Sequence, residues 1–345
     1  MNFQIAMLLG QDGITNGAIY ALLALSILLV FTVTRILLIP QGEFVTYGAL
    51  TMATLQAGHP TALVWLLLGL TLLDCAVDLI GAARSGHRLR LLKRITLKLG
   101  YAMLMVVLIR TLPLASLPMA IQALLTLALV VPLGPLIYRL VFQPIASASS
   151  LVLLVVSIAV HVSMVGIALL LFGPEGARTE PFSEAGLELG PVTFNSQTLW
   201  VLVVSLVLII SLYLFFERTL YGKALRATAV NRMGARLMGI SATLAGKATF
   251  MLASFIGALS GILIAPITTL YFDSGFIISL KGFVGAIIGG LASYPLAAAG
   301  ALAVGLIEAF SMFWASTYKE IIVFTLIIPF LLWRSLAQRH VEEEQ

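Results

Sequence analysis

The sequence predicts an all-α, polytopic transmembrane bundle of about nine to eleven spans, some of them broken or re-entrant helices. Three observations predict it. Of the 345 residues, 60% are hydrophobic and only 10% charged, with a mean hydropathy of +1.08, more apolar surface than a water-soluble core of ordinary size could bury. Apolar runs reach about 20 residues without period-two alternation, which selects helices over a closed barrel as the way to satisfy the backbone in hydrocarbon. The charges collect between these runs, so the net charge of +5 marks membrane-flanking loops and not a nucleic-acid surface.

Apolar windows bounded by charge, Pro or Gly fall at 13–33, 36–57, 62–81, 97–113, 117–138, 150–172, 199–216, 247–271, 279–293, 296–314 and 320–334. The opening residues, 1–15, lack a basic n-region and a small-residue cleavage site, so they read as a short tail before the first span. Residues 1–345 read as one transmembrane domain. The loop 82–98 carries Arg84, Arg88, Arg90, Lys93, Arg94 and Lys98 without an acid, and the loop 217–247 is similarly basic; both are expected to be cytoplasmic. The loop 173–198, with Glu175, Glu180, Glu184 and Glu188 against Arg178 alone and with Pro174, Pro181 and Pro191, is expected on the periplasmic side. Counting spans from these anchors puts the N-terminus outside and the tail, with Arg334, Arg339 and His340, inside.

Two segments are poor spans. Pro40 to Gly48 opens an apolar run with Pro, Gly and Glu43, and Lys281 to Gly290 opens another that ends at Ser293-Tyr294-Pro295. Non-helical backbone at membrane depth is tolerated only where protein or a water-filled route surrounds it, so Gln41, Gly42, Glu43, Gly285, Gly289 and Gly290 are candidates for a substrate pathway. Each segment follows a long span, and the two pairs cross in opposite senses, the pattern of an inverted repeat. The spacing of Gly257 with Gly261, and of Gly285 with Gly289, equally reads as close helix packing. Glu43 either faces the route or caps its helix, and Glu308 either lines the route or bonds a neighbouring helix. Arg110 and Lys281 lie near expected interfaces, where their heads snorkel to water. The stretch 74–116 reads as an inserted hairpin; its basic run is either ordinary positive-inside sequence or a contact for acidic lipid headgroups.

Several chemistries are excluded. The glycine-rich phosphate loop followed by Lys and Ser or Thr is absent, since Gly222-Lys223-Ala224 and Gly246-Lys247-Ala248 lack the hydroxyl, so the chain is expected to bind no ATP itself. The single Cys75 excludes a disulfide framework, and the scattered His59, His87, His161 and His340 do not form a metal motif. Gly257-Ala258-Leu259-Ser260-Gly261 has the wrong spacing for an intramembrane serine nucleophile, and neither an enzyme nor a bound cofactor is expected.

The 217–247 loop is the longest polar interruption in the chain. Leu225, Ala229, Met233 and Leu237 recur every fourth residue, predicting short amphipathic helices, with Gly234 and Gly239 as the breaks. Such a helix can lie on lipid, but its wealth of small residues, Ala224, Ala227, Ala229, Gly234 and Ala235, favours close docking into a protein groove.

Gly222 to Ala227 together with Ala235 to Ile240 resembles the cytoplasmic coupling loop of the permease subunits of branched-chain amino acid ABC importers. Pro40-Gln41-Gly42-Glu43-Phe44 is similar to that family's asparagine, alanine, histidine or glutamine, glycine, glutamate signature, and Lys281 to Ser293 extends the likeness over most of the chain apart from about 74–116. The resemblance implies a multi-pass permease of the bacterial inner membrane with a second permease subunit, two cytoplasmic ATP-binding subunits that hold ATP and Mg²⁺, and a periplasmic solute-binding protein. It places Gly222, Leu225, Arg226, Ala229, Met233, Ala235, Leu237 and Gly239 in the ATPase-coupling loop. Met233 stands where the general importer loop has a glutamate, and Ile39-Pro40 where the family commonly has asparagine-alanine. The expected function is ATP-driven import of branched-chain or related small amino acids. Urea, short amides and small carboxylates remain open as ligands, and an ion-coupled secondary transporter, which broken helices and an inverted repeat would serve equally well, is the rival reading.

Overall fold

A computed structural model describes residues 3–82, 88–183, 186–189, 192–291 and 293–332. Arg84, His87, Glu184, Pro191, Ala292, Arg334, Arg339 and His340 lie outside the described residues. The chain folds as a helical bundle. Its helices are α1 (Phe3–Thr34), α2 (Gln41–Gln56), α3 (Leu63–Ala82), α4 (Arg88–Thr111), α5 (Met119–Val130), α6 (Leu133–Ile137), α7 (Ser150–Phe172), α8 (Ser196–Arg218), α9 (Leu220–Val230), α10 (Arg232–Leu237), α11 (Ala242–Ile264), α12 (Ser274–Ile288), α13 (Tyr294–Ala315) and α14 (Lys319–Thr325). A π-helical turn, Tyr138–Phe142, continues α6, and one hairpin pairs β1 (Leu187–Leu189) with β2 (Val192–Phe194).

Among the described residues seven helical runs are long and apolar enough to cross a membrane. The expected spans 36–57 and 279–293 differ from these. They are α2, of 16 residues, and α12, of 15, about 24 and 22 Å long at 1.5 Å per residue, short of a hydrocarbon core of about 30 Å. The span expected at 97–113 begins earlier, as α4, and its basic first half keeps it outside the apolar set. The last two expected spans belong to one apolar run, Tyr294–Leu332, interrupted by a 3₁₀ turn at Ser316–Tyr318.

Cavity and contact residues fix the two ends of the bundle. Arg94 and Lys98 of one basic stretch and Lys247 of the other line a common cavity, so both basic stretches lie at one end. The acidic segment is at the other end of α11, where Ala177 and Leu270 exchange backbone hydrogen bonds and Arg178 Nε donates to the Pro266 carbonyl at 2.8 Å.

The core is built on an exchange of partners. α2 does not pack mainly on α1, which precedes it, but on α11; α12 in turn packs on α1. The flanking contacts follow suit, α1 with α13 and α11 with α5 and α6. α2 runs from the middle of α11, where Gln41 Nε2 donates to the Ala253 carbonyl at 3.0 Å, to the acidic end, where Gln56 Oε1 accepts from Glu180 N at 2.9 Å. α12 runs the other way, towards the basic end, where Tyr294 just beyond it stacks on Phe216. Two short helices thus start side by side in the middle of the bundle and leave in opposite directions, the geometry of an inverted repeat.

Small residues permit this. A Cβ on Gly42 would sit 2.0 Å from the Gly275 carbonyl oxygen, and one on Gly275 would sit 2.0 Å from that of Gly42. A Cβ on Gly261 would meet the Val45 carbonyl oxygen at 2.1 Å, and one on Gly257 would meet Phe44 Cβ at 2.7 Å. The paired glycines of α11 therefore seat α2 against it, as close-packed membrane helices require.

Replacing Gly42 or Gly275 with Ala forces backbone apart and is expected to cost roughly 1–3 kcal/mol or more. Gly69→Ala on α3, which meets nothing within 4 Å, is the control. Thermal unfolding in detergent checks this: a drop for the first two and none for Gly69→Ala is the expected result.

Candidate functional site

Two places gather the candidate residues. The first is the crossing in the middle of the bundle. Between Thr34 and Gln41 the backbone is not helical, and Arg35 adopts a left-handed φ of 62°. Its polar groups are met from α7: Ser157 Oγ donates to the Leu37 carbonyl at 2.7 Å and accepts from Ile39 N at 3.0 Å. One buried serine hydroxyl thus adds a partner from α7 to Ile39 N and the Leu37 carbonyl, which also bond each other at 3.0 Å. At the crossing itself Gly275 N donates to Thr46 Oγ1 at 3.0 Å, tying the first turn of α12 to α2.

The first turns of α2 and α12 touch, so the positive ends of two helix dipoles meet here. Glu43 sits in this field, fully buried in the first turn of α2. It does not cap its helix: the N-cap position of α2 is Pro40, with no side-chain cap bond. Its carboxylate faces α7 instead, with His161 Nδ1 3.0 Å from Oε1, and the imidazole stacks on Phe276 of α12 at 4.5 Å between ring centroids. Neither Glu43 oxygen makes a fully aligned hydrogen bond among the described residues, so the group retains acceptor capacity. Asp273, exposed at the N-cap position of α12 and making no cap bond, is a second carboxylate on the same turn.

Phe276 and Ser279 also form the wall of a cavity of about 310 Å³ closed by Leu37, Leu38, Ile39, Leu154 and Phe283. The crossing therefore has an apolar chamber near a buried polar cluster of Glu43, His161 and two helix N-termini; Phe276 lines the chamber and stacks on His161, while the cluster itself does not line it. Gln41 and Gly42 belong to this place through their contacts with α11 and α12. Gly285 and Gly289 lie elsewhere, against Ala301 and Ala297 of α13, and Gly290, at φ 71°, ends α12. His161, Ser157 and Asp273 were not singled out as pathway residues in the sequence. The one available signal was that His161 is an ionisable side chain within an apolar run.

Lys281 does not snorkel. It is buried and its Nζ lies 2.5 Å from Glu308 Oε1, while Tyr20 Oη donates to Glu308 Oε2 at 2.6 Å. Glu308 therefore bonds neighbouring helices, joining α13 to α1 and α12. Arg110 is exposed and lies over the Trp65 ring, 5.5 Å from its centroid.

The second place is the 217–247 loop, at the basic end. It forms α9 and α10, but the break falls at Asn231 and not at Gly234. The Asn231 side chain accepts from Gly234 N at 2.8 Å, so it caps α10 and leaves Gly234 inside that helix. Gly239, at φ 81°, does end it: Ile240 N donates to the Ala235 carbonyl and Gly239 N to that of Arg236, a Schellman stop. The break at Asn231 rotates the fourfold stripe out of register. Leu225 packs inward with Leu29, Val33 and Ala245, Ala229 is half-buried against them, and Gly222 fits against the end of α8, where a Cβ would meet the Phe215 carbonyl oxygen at 2.2 Å. Ala235 is buried as well. Met233 and Leu237 face out, joined by Val230 and Met238, the last three being 88%, 82% and 82% exposed for Val230, Leu237 and Met238. Arg226 pairs with Glu217, and Arg236 is exposed without a partner among the described residues.

A family model for the permease component of branched-chain amino acid transport systems matches residues 11–331. The chain belongs to this family. Among curated relatives of this permease, the high-affinity branched-chain amino acid transport system permease protein BraD of Pseudomonas aeruginosa is 25% identical over 245 residues, 68% of this chain and 79% of BraD. The corresponding protein LivH of Escherichia coli K12 is 26% identical over 207 residues, 57% of this chain and 66% of LivH, and LivH of Salmonella typhimurium is 31% identical over 145 residues, 41% and 46% of the two chains. No solved structure matches. The family and the seven apolar runs make the chain an integral membrane permease component.

His161→Leu in this permease leaves the buried Glu43 carboxyl without the imidazole that faces it and is expected to destabilise by roughly 1–3 kcal/mol. Adding Glu43→Gln to that background removes the buried acid and is expected to recover most of the loss. A double-mutant cycle of unfolding in detergent checks the pair, and strictly additive losses would contradict it.

Proposed function

We propose that the chain is the membrane-spanning subunit of an ATP-driven importer of branched-chain or related small amino acids in the bacterial inner membrane. It would work with a second permease subunit, two cytoplasmic ATP-binding subunits and a periplasmic solute-binding protein. In this reading the basic end of the bundle is cytoplasmic, the acidic segment 173–183 is periplasmic, and the N-terminus lies on the periplasmic side. The chain holds no nucleotide; ATP and Mg²⁺ are bound by the partner subunits.

The observation that carries the proposal is the surface formed by α9 and α10. Val230, Met233, Leu237 and Met238 form an exposed apolar patch at the end of the bundle where lysine and arginine collect. α9 is anchored beneath the patch by Leu225 against α1 and α11, so a push on the surface is transmitted to the two long helices that hold the crossing. Such a surface drives transport only if it binds the ATP-closed and ATP-open partner conformations with different affinity. The loss of the usual glutamate at Met233 is compatible with docking through apolar contact, since Met233 is itself exposed in the patch.

At the crossing, the apolar chamber suits an aliphatic side chain, Glu43 suits an ammonium group, and the paired helix N-termini suit a carboxylate. These features favour an amino acid over urea or a short amide, which carry neither charge. The amino acids in the names of BraD and LivH agree with this choice.

Reconstituted uptake of labelled leucine tests the coupling. Leu237→Glu with Met238→Glu is expected to lower ATP-dependent uptake roughly tenfold or more while insertion and unfolding temperature stay unchanged, because both side chains project from the fold. Undiminished uptake would remove α9 and α10 from the coupling step.

A further inference from the structure

We propose that the permease holds one anionic phospholipid at its basic end, in a cavity of about 680 Å³ between α3, α4, α6 and the start of α11. The cavity is separate from the crossing and from the α9–α10 patch, and the proposal does not rest on the transport reading.

Four cations and two carboxylates line it. Asp74 and Asp78, one turn apart on α3, are already occupied: Lys98 Nζ lies 2.6 Å from an oxygen of each, and Arg139 Nη1 lies 2.8 Å from Asp74 Oδ1 while its other nitrogen pairs with Asp78. This quartet is neutral and fixes the floor. Arg94 and Lys247 also line the cavity and take no ion pair or hydrogen bond among the described residues. Two cations without an ion pair above a neutral quartet leave the cavity positive, with Lys247 half-buried and within electrostatic reach of Arg139 and Lys98 as well as of Asp74 and Asp78, which those two cations already pair.

The apolar walls decide which anion. Leu67, Leu97, Leu136 and Leu244 line the same cavity, and Leu97 and Leu244 are both 67% exposed at its rim. Along α4 the exposed face continues through Tyr101 and Leu104, spaced by four and three residues on one side of the helix. A soluble phosphate would have no use for this face. A diacyl lipid would lay its chains along it and set its phosphate between Arg94 and Lys247. The boundary on α4 between its basic first half and its apolar second half falls near Lys98, so the cavity is at headgroup depth.

The test measures lipid retained by the full-length protein in mild detergent, by native mass spectrometry after incubation with either dioleoyl phosphatidylglycerol or dioleoyl phosphatidylcholine. Each cation near an anionic lipid changes partitioning roughly fivefold. Arg94→Gln with Lys247→Gln, which spares the quartet, is therefore expected to lower phosphatidylglycerol retention roughly 25-fold and to leave phosphatidylcholine unchanged. Lys93→Gln with Lys223→Gln, exposed cations of the same end outside the cavity, is expected to have little effect. As a readout that keeps both cations, p-benzoylphenylalanine introduced at Leu97 is expected to cross-link phosphatidylglycerol in preference to phosphatidylcholine. Equal retention of the two lipids, or equal losses in the two double variants, overturns the proposal. Displacement of the lipid by millimolar inorganic phosphate overturns it in favour of a soluble phosphate.

Discussion

The backbone contact between Gly42 and Gly275 is the constraint on which the rest of the structure depends. Two helices that start side by side this closely leave room for nothing larger than hydrogen between them, and here each carbonyl oxygen lies 2.0 Å from where the other residue's Cβ would be. That contact lets α2 turn towards one end and α12 towards the other, which in turn makes α11 the partner of the first and α1 the partner of the second. The long helices α1 and α11 then clasp the crossing from both sides. Lipid tails are as apolar as leucine, so close van der Waals packing and internal polar bonds, and not hydrophobic burial alone, hold such an arrangement together.

The ionisable groups of the interior divide by what they face. Glu308, Lys281 and Tyr20 satisfy one another and pin three helices. Asp74, Asp78, Lys98 and Arg139 do the same for α3, α4 and the π turn after α6. Glu43 is different, because it faces a single imidazole and keeps free acceptor capacity beside two helix N-termini. Charge buried in a membrane protein is costly, and a group left with spare capacity at a break in two helices is where a route is expected. In the structural ion pairs each carboxylate instead has a lysine or arginine against it.

Much of this was legible in the sequence. Composition and run length gave a helical bundle, and Pro40-Gln41-Gly42 and the glycines after Lys281 marked the two short helices. What could not be read was register between distant helices. Ser157 carries the broken backbone before α2, and nothing near Ser157 in the chain announces it. Lys281 looked like an interfacial lysine because its partner, Glu308, lies 27 residues away on the next long helix. The fourfold stripe from Leu225 to Leu237 suggested one continuous face, yet Asn231 competes for the backbone and caps a new helix, so the stripe splits into a buried half and an exposed half.

Broken helices around a mid-membrane site serve ion-driven and ATP-driven carriers alike, so the crossing alone does not fix the source of energy. The docking role proposed for the exposed patch on α9 and α10 is what separates the two, because an ion-driven carrier has no need of a docking surface for an ATPase. The direct measurement is uptake of labelled leucine by proteoliposomes that contain this permease with the proposed ATP-binding subunits, assayed with and without enclosed ATP and with and without an ionophore. Uptake that requires ATP hydrolysis and survives collapse of the ion gradients is the predicted result; uptake that persists without ATP and stops when the gradients collapse would contradict it.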